Sequence, residues 1–227
     1  MSDATHNAAI DAAGRRYLSP LGLARVGRSR LWTDDHAWWI TNVEFQPSSS
    51  GPGSYLNVGV QWLWMEAEQH AFMVGHREEG FHRAEHGRDF TEYAERLALR
   101  AVSEVERYRS LFPDLPAVAR YYLHPLDAGQ GPVGPEDWPP AARIHAGIAL
   151  GLLGDEGKAR RWFDSYLSVS DDRDWAQRDR DHVLHLRALL SRPSDFKLAA
   201  QEAVLRSRVN LGLPILDSVT FLRNEVE

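Results

Sequence analysis

Two stretches with a strict two-residue period, separated by a loop rich in proline and glycine, constrain this chain more than any other feature. In residues 36–46, Ala37, Trp39, Thr41, Val43 and Phe45 alternate with His36, Trp38, Ile40, Asn42 and Glu44. In 55–64, Leu56, Val58, Val60, Trp62 and Trp64 share one face, with Tyr55, Asn57, Gly59 and Gln61 on the other. Alternation of this kind places successive side chains on opposite sides of a β-strand. The intervening PSSSGPG, residues 47–53, is a loop by composition. Two strands joined this closely pair antiparallel, so the chain must build a sheet with one face buried.

The neighbouring sequence extends that sheet. Residues 24–33 read as a strand ending in a Thr33-Asp34-Asp35 turn. Residues 66–74 alternate again, with Glu66, Glu68, His70, Phe72 and Val74 on one face. Residues 4–18 have helical spacing (Ala8, Ala12, Tyr17/Leu18) and stop at Ser19-Pro20 and Gly22. A longer helix is expected over 89–111, with Asp89 as N-cap and a stripe of Tyr93, Leu97, Ala101, Val105 and Tyr108. It has the length to lie across the sheet. After Pro113 the character changes: a short helix near 116–123, a Gly/Pro loop over 129–140, then helices near 140–153, 156–168, 175–191 and 195–210. The expected fold is α+β, an antiparallel meander of about four strands packed on helices and followed by a helical subdomain. The corresponding division is 1–112, a connection over 113–140, and 141–227.

Charge and composition then exclude function classes. The net charge is −6, and the acidic excess is shared between the halves: 12 basic against 15 acidic residues in 1–112, and 14 against 17 in 113–227. No basic half exists to follow a phosphate backbone, which argues against nucleic-acid binding and favours a basic partner. The chain has no cysteine, so disulfides, thiol catalysis and cysteine-type zinc sites are out. No apolar run approaches a membrane span, and the N-terminal residues lack the pattern of a signal peptide. A cytoplasmic setting is expected.

The residues that carry possible chemistry are few. His82-Arg83-Ala84-Glu85-His86 spells H-x-x-E-H, the zinc signature of the inverzincin peptidases. On a helix, His82 and His86 would reach one zinc, with Glu85 as base and His76, Glu79, Glu66 or Glu68 as third ligand. Gly80 and Gly87 bracket the motif and its neighbours are charged, so a polar turn is the expected identity, and no cofactor or resident metal is expected. Glu66, Glu68 and His70 fit a charged edge strand at least as well as an acid/base set. Asp181, His182 and His185 fit a solvated helix face, and His145 a satisfied interior histidine. Ser48-Ser49-Ser50 lacks a nucleophile elbow, and Gly51-Pro52-Gly53 lacks a P-loop lysine.

The aromatics are more informative. Trp32, Trp38, Trp39, Trp62 and Trp64 fall on adjacent strands, and Trp38 and Trp39 must point opposite ways. One indole therefore lies off the main core face, either covered or serving as a binding anchor. Trp38 is the candidate anchor, with Tyr55, Asn57 and Gln61 as hydrogen-bonding neighbours.

Residues 18–64 resemble a family of small bacterial α+β domains of unknown function. The shared features are the Leu18-Ser19-Pro20-Leu21-Gly22 turn, the basic strand Arg28, Arg30, Trp32, the Phe45-Gln46-Pro47-Ser48 strand end, and Tyr55, Asn57, Gly59. Leu23 stands where the family usually has an aromatic. The resemblance implies a fold and a bacterial setting, in some cases beside toxin systems, and transfers no catalytic residue. Separately, residues 141–167 resemble a tetratricopeptide-type helix hairpin, with a Gly154-Asp155 turn but no second copy at a fixed period. The functional expectation is a non-enzymatic module that binds a protein partner and neutralises a basic one such as a toxin. The alternatives are a metal-dependent hydrolase using His82, Glu85 and His86, and a small-ligand binder in a cleft between sheet and helical subdomain. Nothing in the sequence fixes the oligomeric state.

Overall fold

The computed structural model describes residues 3–48, 51–83, 90–124, 134–169 and 174–221. The chain divides into two compact units: Met1–Gln61 with His70–Ser110, and Trp62–Gln69 with Leu111–Glu227. The fold is α+β, with an antiparallel sheet in the first unit and helices making up most of the second.

The first unit begins with α1 (Asp3–Tyr17) and continues through β1 (Ala24–Arg25), β2 (Leu31–Asp35), β3 (Trp39–Ser48), β4 (Gly51–Trp62) and β5 (Val74–Arg83) to α2 (Thr91–Leu111). Strand order follows chain order, so the sheet is a meander. The register of β2 on β3 sets Trp32 opposite Val43 and Thr33 opposite Asn42. Period 2 does the rest: Trp32, Val43, Phe45, Leu56, Val58 and Val60 are all buried. Fully burying each contributes on the order of 1.5–3 kcal/mol.

The two helices of this unit make specific contacts with β2. A Cβ on Gly14 of α1 would lie 2.6 Å from Cζ2 of Trp32, so the absent side chain lets the helix seat against the indole. Arg109 of α2 grips Asp34 with both arms of its guanidinium, at 2.8 and 2.7 Å, and donates to the carbonyl of Leu21 at 2.8 Å. Burial opposes the charge on Asp34, but hydrogen bonds from Arg109 and His36 outweigh it and hold the carboxyl down at about 2.

The edge of the sheet departs from the expectation. Residues 63–73 are not a strand, although they alternate, and β5 instead runs through the first part of the histidine-rich segment. Glu66 has φ +52°, a left-handed conformation that an extended strand cannot contain. Val74–Arg83 needs little apolar periodicity because its ladder to β4 supplies the backbone hydrogen bonds. Its partners include Val58 with His76 and Asn57 with Arg77. With neighbours on one side only, a strand carrying His76, Arg77 and Glu78 is protected from pairing with other chains. The part of that segment up to Arg83, expected as a polar turn, belongs to an edge strand, and residues 84–89 lie outside the described residues.

The second unit holds α3 (Leu115–Leu123), a 3-10 turn (Pro135–Asp137), α4 (Pro140–Leu152), α5 (Glu156–Leu167), α6 (Asp174–Leu189) and α7 (Pro193–Asn210). Local chemistry sets several boundaries. Asp114 caps α3 by accepting from Ala117 N at 2.8 Å, and Asp155 caps α5 by accepting from Lys158 N at 3.1 Å. Gly154 at φ +81° makes the turn between α4 and α5. That hairpin is tight: a Cβ on Gly147 would lie 2.5 Å from the Phe163 ring.

The segment 62–69 is built into this helical unit. Trp62 and Trp64 stack at 5.3 Å and are fully buried. Each indole N–H has a partner: Trp62 donates to the Tyr122 hydroxyl at 2.9 Å and Trp64 to Nδ1 of His145 at 3.2 Å. Ser207 of α7 donates to Leu63 O at 2.6 Å and accepts from Ala67 N at 2.7 Å. Burial drives the pKa of His145 down to about 3, so the ring is neutral, with Nδ1 as acceptor.

Candidate functional site

The turn that follows Trp64 shapes a cleft in the helical unit. Its backbone reverses at Met65–Glu66, and its side chains face the first turns of α6 across a cavity of about 700 Å³. Glu66, Glu68, Asp179 and Asp181 line it, with Arg178 and His182. Helical spacing explains one wall, since positions 178, 181 and 182 of α6 fall on one side of the helix.

The charges there do not balance. Arg178 pairs with Glu68 at 2.8 Å, and Arg206 of α7 pairs with Glu66 at 3.0 Å. These pairs are about half exposed or more, and each is worth little. Among the described residues Asp181 accepts from the amide of Gln177, at 2.8 Å, and pairs with no cation. Burial raises the pKa of Asp179, with the Arg178 charge pulling the other way. His182 donates from Nε2 to Trp64 O, 3.2 Å away, and burial lowers its pKa, which keeps it neutral near pH 7. Among the described residues the cleft therefore carries two carboxylates beyond those matched by a guanidinium, and one of them, Asp179, sits where its charge is disfavoured. A cation entering would relieve that penalty. Two sequence signals that looked independent, Glu66/Glu68 and Asp181/His182, meet here. Arg178 and Asp179 carried no sequence signal, because a charged residue on a helix face looks the same whether or not a wall stands opposite.

The other sequence candidates lie elsewhere. Trp38 is 6 % exposed, and Trp32, Trp39, Trp62 and Trp64 are buried as well. Tyr55 lies under the Arg77 guanidinium, 3.9 Å from the ring centroid. Asn57 donates to Glu44 and Gln46 at 2.9 and 3.0 Å. Gln61 is buried in a separate network: Asn42 donates to its side-chain oxygen at 3.0 Å and Ala71 N does so at 2.9 Å. The same Asn42 meets His70 at 3.1 Å. His70 is thus part of an internal network rather than a strand-face partner of Glu66 and Glu68.

His76 lies 3.0 Å from Glu78, which also pairs with Arg100. His82 falls on β5, not on a helix, opposite Ser54. Arg83 ends β5 opposite Gly53, and Ala84, Glu85 and His86 lie outside the described residues. Among the described residues, no three histidine, aspartate or glutamate side chains are placed to hold one metal ion. Nor is any described helix long and apolar enough to cross a membrane.

Fold and site together define an α+β protein with a meander sheet in one unit and an acidic cleft in a helical other. No family model matches the chain, and neither does any curated protein or solved structure.

Proposed function

We propose that this protein is a non-catalytic binding module whose helical unit takes an arginine- or lysine-bearing segment of a protein partner, neutralising a basic protein such as a toxin. The cleft is the observation that carries the reading: about 700 Å³, lined by Glu66, Glu68, Asp179 and Asp181, with Arg178 as its guanidinium. An extended cationic side chain fits such a space, and partial burial makes each charge contact stronger than on open surface. The chain's net charge of −6 would steer a basic partner toward it over a distance that salt shortens.

The test is calorimetric titration of the intact chain with a hexa-arginine peptide, and with hexa-glutamate as control. Saturable binding of the first alone is expected, weakened about tenfold, or ~1.4 kcal/mol, in the Asp179→Asn/Asp181→Asn double variant. Equal binding by wild type and double variant would remove the cleft from the argument. Elemental analysis of untagged protein separates the hydrolase alternative: near-stoichiometric zinc that disappears in His82→Ala would replace this reading with that one.

A further inference from the structure

The first unit holds a site of the opposite sign. The turn joining β1 to β2 closes with Val26 N donating to Leu31 O at 2.9 Å and Ser29 N to Val26 O at 3.0 Å. Gly27 at φ +54° lets the chain reverse there. The turn carries three arginines in six positions, Arg25, Arg28 and Arg30, beside a cavity of about 220 Å³. Across it, α1 presents Asn7 and Asp11, one helical turn apart.

Two of the guanidiniums are fixed in place. Arg25 pairs with Asp11 and folds over its own turn, donating to Ser29 O at 2.7 Å and Arg28 O at 3.1 Å. Arg30 is held by the side-chain oxygen of Asn7, and reaches Gly53 O at 3.4 Å. Asp11 is shared with Arg15 at 2.8 Å, so its negative charge is already spent on two cations. The Arg28 guanidinium makes no hydrogen bond or ion pair among the described residues. Among the described residues lining it, three guanidiniums against one carboxylate give a net charge of +2, in a protein whose total is −6.

We propose that this pocket binds the phosphoryl group of a small phosphate monoester. Above its second ionisation, near pH 6, such a group is a dianion with three acceptor oxygens, matching the charge and the fork geometry of arginine. A carboxylate offers half the charge. The cavity is smaller than the roughly 300–1,000 Å³ that enclose a whole ligand, so the phosphoryl group enters and the ester remainder stays outside. Arg25 and Arg30 supply a fixed rim, and Arg28 closes on the ligand.

Titration of the intact protein with phenyl phosphate, inorganic phosphate and benzoate at matched ionic strength tests this. Phenyl phosphate and inorganic phosphate are expected to bind with one-site saturation, and benzoate at least tenfold more weakly. Arg28→Gln should weaken phenyl phosphate at least tenfold while leaving the far-UV spectrum and melting temperature unchanged, because the Arg28 side chain makes no hydrogen bond or ion pair among the described residues and its backbone carbonyl, which accepts from Arg25, is kept. Arg30→Gln provides a second disruption from the opposite rim. Non-saturating binding, benzoate binding equal to phenyl phosphate, or affinity unchanged in Arg28→Gln would each overturn the proposal. None of these variants alters the acidic cleft, so the two readings fail separately.

Discussion

Acid should destabilise the helical unit through His145, and by an amount that can be worked out. His145 is 4 % exposed and its pKa lies at about 3, against 6.5 for the free side chain. Desolvation is the cause: burial strips a charged imidazolium of its hydration, and Nδ1 is committed as acceptor to the Trp64 indole. Because the folded pKa lies below the unfolded one, the unfolded chain binds the proton first. Stability is therefore lost as pH falls below about 6.5, and the loss continues toward pH 3. At pH 5, 1.5 units below the unfolded pKa, the cost is about 2 kcal/mol at 1.36 kcal/mol per unit. That is a large fraction of a typical stability of about 5–15 kcal/mol.

The comparison to make is His145→Gln, which keeps an acceptor for Trp64 but does not titrate. Urea unfolding followed by far-UV circular dichroism at pH 7 and pH 5 gives the pH-dependent change for each protein. Wild type should lose about 2 kcal/mol more than the variant between the two pH values. His70 and His182, whose pKa values burial also lowers, contribute equally to both proteins and cancel. A difference below about 0.5 kcal/mol would mean that the folded state protonates His145 as readily as the unfolded one, and the account of a buried neutral acceptor would be wrong.

Asp34→Asn should cost about 3 kcal/mol, because it leaves Arg109 without the carboxylate that it grips with two hydrogen bonds. The lowered pKa of Asp34 gives the pH signature: its contribution is complete above the usual carboxylate range near 4 and vanishes as pH falls through about 2. Thermal melts of wild type and variant should therefore differ at neutral pH and converge at the acid end. Gly14→Ala reverses the usual benefit of alanine in a helix. Its methyl would meet the Trp32 ring at 2.6 Å, so a loss of about 1–3 kcal/mol is expected. Gly157→Ala, in α5 with nothing within 4 Å, should gain about 0.5–1 kcal/mol in the same assay. A gain at Gly14 would show that α1 does not seat on Trp32 this closely.

Much of the secondary structure was legible because its cause is local. The expected helices at 89–111, 140–153, 156–168 and 195–210 correspond to α2, α4, α5 and α7 within a few residues. Proline, the Gly154 turn and the Asp155 cap act within one turn of chain. The sheet was legible where both neighbours of a strand demand a buried face, as in β3 and β4. It was misread at the edge, and at residues 24–35, expected as one strand closing on a turn at Thr33-Asp34-Asp35 but folded as β1 and β2 with the turn between them. Residues 66–74 alternate but turn at Glu66, whereas Val74–Arg83 does not alternate and pairs with β4. An edge strand draws its stability from one ladder, and that ladder is written in the partner strand.

The sequence by itself determined an α+β chain of acidic balance, most of its helices with the Gly154 turn between two of them, and the inner strands whose side chains alternate between core and surface; the turn expected at Thr33-Asp34-Asp35 lies inside β2. Each of these follows from contacts a few residues apart or from simple sums of charge. Only the tertiary structure decided that Trp62 and Trp64 end in the helical unit against Tyr122 and His145. It alone brought Glu66 and Glu68 to Asp179 and Asp181, and set Asn7 and Asp11 against the arginines of the β1–β2 turn. Sites of this kind are built from side chains that each read as ordinary surface residues, and their chemistry arises from residues distant in the chain sharing one partly desolvated space.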